Sequence, residues 1–89
     1  MTTVCVTGVA SGIGAATAAR LGADGARVIG VDLADADINA DLSDPAQRAR
    51  VVDEITAACG GRLDGFVPCA GVGGLASAEL TVRLNYFSV

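Results

Sequence analysis

The feature that most limits what this chain can fold into is Thr7-Gly8-Val9-Ala10-Ser11-Gly12-Ile13-Gly14. It comes after a short apolar run, Val4-Cys5-Val6, and leads into an alanine-rich segment of helical character, Ala15 to Leu21. A buried strand, a glycine turn and a helix start are the parts of a phosphate cradle. Glycines let the backbone turn sharply and come close to a ligand where a Cβ would collide. The N–H groups of the helix's first turn, at the positive end of its dipole, then face an anion. The competing reading is a plain tight turn between a strand and a helix.

The residues beyond the turn favour the cradle. Arg27-Val28-Ile29-Gly30-Val31-Asp32 reads as a second strand ending on an acid, 18 residues after Gly14. An acid about 20 residues past such glycines accepts hydrogen bonds from the ribose of an adenosine. Taken alone, Asp32 would be a solvated acid at a strand end. Its charge also discriminates between cofactors, because a 2′-phosphate would meet it and would need an Arg or Lys nearby. Leu33, Ala34, Val9, Ala10 and Ser11 provide none. NAD(H) is therefore expected over NADP(H).

The rest of the chain supplies a sheet around this turn. Thr3 to Thr7 is a β-branched, apolar first strand, and Ile13 to Ala23 the first helix, ended by Asp24 and a left-handed Gly25. Leu33 to Asp37 is a short polar link, and Asp37 to Leu42 a weak third strand. Asp44 serves as N-cap, with Pro45 at the first helical position and Gln47 where a capping-box partner stands. Val51, Val52, Ile55, Ala58 and Cys59 then recur at helical spacing, with Arg48, Arg50, Asp53 and Glu54 outward. Leu63 to Cys69 is a fourth strand. Pro68 cannot donate to a ladder and belongs at its end or where that N–H is unpaired. A loop from Ala70 to Gly74 leads to a last helix from Ser77. Such alternation predicts an α/β fold, a Rossmann-like doubly wound parallel sheet in its first half, with strand order 3-2-1-4.

Composition narrows the function classes. The 89 residues carry ten acids against six bases, all Arg, for a net charge of −4. No basic stripe exists for nucleic acid or an anionic membrane. The chain has no histidine and no lysine, so neither residue does acid–base or ligand chemistry within it. Cys5, Cys59 and Cys69 are odd in number and widely spaced, which reads as small buried hydrophobes in a reducing compartment. Met1 to Ala19 lacks the basic region of a signal peptide, and Gly65 to Ala78 is too short and too rich in Gly and Pro to cross a bilayer. A cytoplasmic protein is expected. At 52% hydrophobic the chain is rich for its length, as expected of strands covered on both faces.

Thr7-Gly8-x-x-x-Gly12-Ile13-Gly14, with three residues between its first two glycines, resembles the short-chain dehydrogenase/reductase family. Asp41-Leu42 is similar to the family's Asp-plus-apolar pair beside the adenine. Cys69-Ala70-Gly71 is similar to its Asn-Asn-Ala-Gly segment, and Leu84-Asn85-Tyr86-Phe87 to the segment bearing its catalytic asparagine. Together these resemble the bacterial 3α-hydroxysteroid dehydrogenase/carbonyl reductase branch. The resemblance implies NAD(H)-dependent hydride transfer on a small alcohol or ketone, a homo-oligomer, and a cofactor held by Gly8, Ala10, Ser11, Gly12, Ile13, Gly14, Asp32, Leu33, Asp41, Leu42, Cys69, Ala70 and Gly71. It implies a catalytic role for Asn85, which could otherwise be a helix residue bonded to local backbone. Two departures stand out. Pro68-Cys69 replaces Asn-Asn, so the hydrogen bonds of those amides must come from elsewhere. The family's Ser and Tyr-x-x-x-Lys do not occur, and Tyr86 is the sole tyrosine.

Residues 1–89 therefore read as the NAD-binding front portion of a longer enzyme, inactive by itself, whose fourth strand would otherwise leave an open apolar edge. The rival readings are a non-catalytic NAD-binding module and an S-adenosylmethionine-dependent methyltransferase. The glycine spacing and Thr7 fit the methyltransferase poorly.

Overall fold

The computed structural model describes residues 2–10 and 12–70. Four strands form one parallel sheet: β1 (Thr3–Thr7), β2 (Arg27–Asp32), β3 (Ile38–Asn39) and β4 (Gly65–Pro68), in the order β3-β2-β1-β4. Helices α1 (Gly12–Ala23) and α2 (Pro45–Ala58) cross between them. The expected order 3-2-1-4 is the one observed.

β1 lies at the centre and all five of its residues are buried. Its register runs Thr3 to Thr7 against Arg27 to Val31 on one side, and Val4 to Thr7 against Gly65 to Pro68 on the other. Period-2 alternation sends Cys5, Ile29 and Val31 to the face covered by α2, where Val51 and Ile55 close a fully buried core with Ile38, Leu42 and Leu63. Burial pushes the Cys5 thiol up to about 12, with Cys59 adding to the shift. That thiol stays protonated and acts as a small hydrophobe.

α2 begins where its residues specify. Asp44 is extended (φ −92, ψ 119) and its Oδ1 accepts from the Ala46 N–H at 2.9 Å, with Pro45 next in the first turn. Asp44→Ala is expected to cost about 1 kcal/mol in stability, read from the denaturation midpoint. At the other end Arg27 Nη1 donates to the Ala58 carbonyl at 2.7 Å, a cation on the negative end of the helix.

Three expectations need correcting. β3 is two residues long rather than spanning Asp37 to Leu42. Asp37 meets β2 with its side chain, Oδ2 accepting from the Gly30 N–H at 2.7 Å, so side-chain bonds take the place of ladder pairs. Arg48 is buried, not outward, and its Nη1 donates to the Leu42 carbonyl at 3.0 Å. Gln47 makes no capping box. The Asp44 N–H goes to the Asp41 carbonyl at 3.2 Å, and Gln47 Oε1 accepts instead from the Asp41 N–H at 2.7 Å.

Pro68 behaves as expected of it. It ends β4, and the Cys69 N–H after it reaches the Thr7 carbonyl at 3.2 Å. Alternate residues of a strand donate to the same side, so the donor Pro68 lacks faces away from β1.

Candidate functional site at the carboxyl ends of the strands

Because the strands are parallel, the segments leaving β1, β2, β3 and β4 share one rim of the sheet. That rim gathers Gly8, Ala10, Gly12, Ile13 and Gly14 after β1, Asp32 and Leu33 at the end of β2, Asp41 and Leu42 after β3, and Cys69 and Ala70 after β4. The chain passes to opposite sides of β1, toward β2 and then β4, and in open α/β sheets a crevice forms at such a reversal. Ser11, Gly71 and Asn85 lie outside the described residues.

The turn after β1 is clamped from both sides. Gly8 has φ +73, and a Cβ on it would stand 2.8 Å from the backbone carbon and oxygen of Cys69. Its N–H donates to the Val31 carbonyl at 2.8 Å. A Cβ on Gly14, the buried residue of α1's first turn, would collide with the Gly8 carbonyl. Both glycines are thus needed for close backbone approach. Gly12 has φ +60, and among the described residues nothing lies within 4 Å of where its Cβ would be.

Asp32 points into this turn. Its Oδ2 accepts from the Ala10 N–H at 2.9 Å and its Oδ1 from the Leu33 N–H at 2.7 Å. Each carboxylate oxygen carries a second lone pair, so the group keeps acceptor capacity for hydroxyls. Beside it Leu33 is 70% exposed and Ile13, at the mouth of α1, is 79% exposed.

Asp41 and Leu42 divide their roles. Leu42 is buried in the core, so its side chain underlies the rim, while Asp41 is exposed above it. Asp41 Oδ1 accepts from the Ser43 hydroxyl at 2.6 Å and the Ser43 N–H at 3.0 Å. These bonds, the hydroxyl first, hold its carboxyl below the usual carboxylate value. A depressed carboxylate contributes stability above its unfolded pKa and loses it as pH falls through the folded value. Ser43→Ala is expected to bring Asp41's titration up toward the ordinary range, as followed by NMR.

Sequence reasoning missed two supports. Thr7 Oγ1 accepts from the Ala70 N–H at 3.3 Å, which with the Cys69–Thr7 bond ties the end of β4 to β1. Gln47 fixes Asp41 from α2, and its acceptance of a backbone N–H six residues earlier carries no recognisable spacing.

This arrangement of glycine turn, strand-end acid and parallel order has close counterparts. Residues 2–86 match the model of the short chain dehydrogenase family. The chain belongs to that family. It is 39% identical over 88 residues to the 3-alpha-hydroxysteroid dehydrogenase/carbonyl reductase of Comamonas testosteroni, covering 98% of this chain and 34% of the relative. It is 40% identical over 92 residues to the coniferyl-alcohol dehydrogenase of Pseudomonas sp. strain HR199, covering 97% and 34%. Among solved structures, the 3-alpha-hydroxysteroid dehydrogenase of Pseudomonas sp. B-0831, complexed with NADH, superposes with a TM-score of 0.77 at 47% identity, over 98% of this chain and 37% of that one. A short-chain dehydrogenase/reductase from Brucella ovis superposes with a TM-score of 0.83 at 26% identity, over 97% and 55%. The chain spans about a third of the length of the curated relatives it matches. Family membership sets the methyltransferase reading aside. Among the described residues no helix is long and apolar enough to cross a membrane.

Proposed function

We propose that this chain is the NAD(H)-binding portion of a short-chain dehydrogenase that transfers hydride between the cofactor and a small alcohol or ketone, possessing the hydroxysteroid leaning of the relatives it resembles. The observation that carries the reading is Asp32, whose carboxylate sits against the glycine turn, accepting from the Ala10 N–H at 2.9 Å. The residues fit a dinucleotide: Gly8 and Gly14 let the turn, the end of β4 and the start of α1 come close together without a Cβ between them, and Asp32 is an acceptor beside them.

In this reading the turn from Gly8 through Ala10 and Ser11 to Gly12, with the first-turn amides of α1 at Ile13 and Gly14, holds the diphosphate. Asp32 accepts the adenosine ribose hydroxyls, and its charge turns away a 2′-phosphate. Leu33 supplies an apolar wall, Asp41 a polar contact for the adenine, and Leu42 packs beneath. Cys69, Ala70 and Gly71 line the middle of the cofactor. Ile13, exposed at the start of α1, offers an apolar side chain beside the diphosphate. When bound, the nicotinamide supplies the hydride acceptor or donor. Asn85 would help position a proton relay whose Ser, Tyr and Lys do not occur in these residues. The enzyme would be cytoplasmic and homo-oligomeric.

A non-catalytic NAD-binding module is the second reading. Titration of the intact protein with NADH and NADPH, read by nucleotide fluorescence, tests the shared part. NADH is expected to bind at least about tenfold more tightly. Equal binding of NADPH would refute the role of Asp32. Turnover of an alcohol or ketone by the same preparation then separates enzyme from module.

A further inference from the structure

Gly30 occupies the middle of β2, a position where glycine packs nothing and weakens a strand. It is not among the glycines with positive φ, so its conformation does not call for glycine. What excludes a side chain there is Val9. A Cβ on Gly30 would stand 2.7 Å from Val9 Cγ1, 3.1 Å from Cγ2 and 3.2 Å from Cβ. Distances under 3.0 Å require something to shift. The bare backbone of β2 is thus a seat for a side chain of the glycine turn.

The contact belongs to a continuous docking of the turn onto β2. Gly8 and Val9 N–H groups both point at the Val31 carbonyl, at 2.8 and 3.4 Å, and Ala10 N–H donates to Asp32 Oδ2. Val9 meets β2 through its side chain as well, at Gly30, the residue before Val31. Raising Val9 off Gly30 would lift the neighbouring amides together. The Ala10–Asp32 bond is exposed and has least to hold it. We propose that Gly30 is a positioning residue of the dinucleotide site: seating Val9 on it sets the height of the turn at which the Ala10 N–H and the Asp32 carboxylate meet. The inference rests on the nucleotide reading for its effect on affinity, but not for its effect on the turn.

The test is a pair of coupled substitutions in the intact protein, Gly30→Ala, Val9→Ala and both together. In Gly30→Ala the new methyl displaces Val9. NADH affinity is expected to fall about tenfold, and the Ala10 amide to lose protection from hydrogen exchange. In the double variant the Val9 methyls are gone and the remaining Cβ contact of 3.2 Å is relieved by a small shift. Affinity and amide protection are then expected to recover to within about threefold of the unmodified protein, a strong departure from additivity. Losses that simply add would overturn the proposal, as would a Gly30→Ala variant with Ala10 still protected. If Gly30→Ala does not fold, folding of the double variant supports the proposal and its failure to fold overturns it. If the unmodified protein does not bind NADH, the nucleotide reading falls, and Ala10 exchange still decides whether Val9 and Gly30 set the turn.

Discussion

Gly14→Ala is expected to abolish NADH binding and to destabilise the protein by about 3 kcal/mol or more. The added methyl would meet the Gly8 carbonyl, and a backbone group cannot rotate away as the tip of a side chain can. Relief requires α1 to back away from the turn, which breaks the approach of the helix amides that would face a diphosphate. The same helix provides its own control. Gly22 lies in α1, and among the described residues nothing comes within 4 Å of where a Cβ would stand. Gly22→Ala should therefore stabilise the protein by up to about 1 kcal/mol through helix propensity and leave NADH binding unchanged. Urea denaturation and NADH titration of the two variants measure opposite signs from one substitution type. An unchanged midpoint in Gly14→Ala would show that α1 is not wedged against the turn.

Asp32→Ala is expected to cost roughly 10- to 100-fold in NADH affinity, the loss of hydrogen bonds from ribose hydroxyls to a charged acceptor. NADPH should move the other way, binding more tightly than to the unmodified protein, because the charge facing a 2′-phosphate is gone. The change in the NADH to NADPH ratio is the informative quantity. The carboxylate also braces the turn through Ala10 and the link through Leu33. Loss of that brace alone weakens both nucleotides alike. Parallel losses would assign Asp32 a purely structural duty, and diverging ones assign it the ribose. Both bonds are exposed, so water can replace the carboxylate at the two amides and stability should change little.

How well the sequence announced the fold depended on how local the cause was. The turn from Gly8 to Gly14, the extent of β1 and β2 and the start of α2 at Asp44-Pro45 are written in residues a few positions apart. Each was legible for that reason. The extent of β3 was not, because Ile38, Ala40 and Leu42 alternate as in a longer strand while ladder pairs form only at Ile38 and Asn39, and the neighbours Asp37 and Asp41 spend their side chains on backbone groups. Arg48 misled for a related cause. Charge and helical spacing placed it outward, yet the Leu42 carbonyl under it rewards a buried guanidinium. At the candidate site, Asp32 was legible through its distance from the glycines. Leu42 was placed at the rim by its neighbour, and the core claimed its side chain.

Residues close along the chain thus determined the strand, turn and helix sequence, the parallel alternation and the acid at the end of β2, since steric and capping preferences act within a few peptide units. Only the tertiary structure decided that Thr7 holds Ala70 across 63 positions, that Gln47 anchors Asp41 from another element, and that Val9 comes down on Gly30. Those contacts depend on how high a turn rides over a neighbouring strand and which backbone groups a helix leaves in reach. Such heights and reaches exist only once the sheet has brought the partners together.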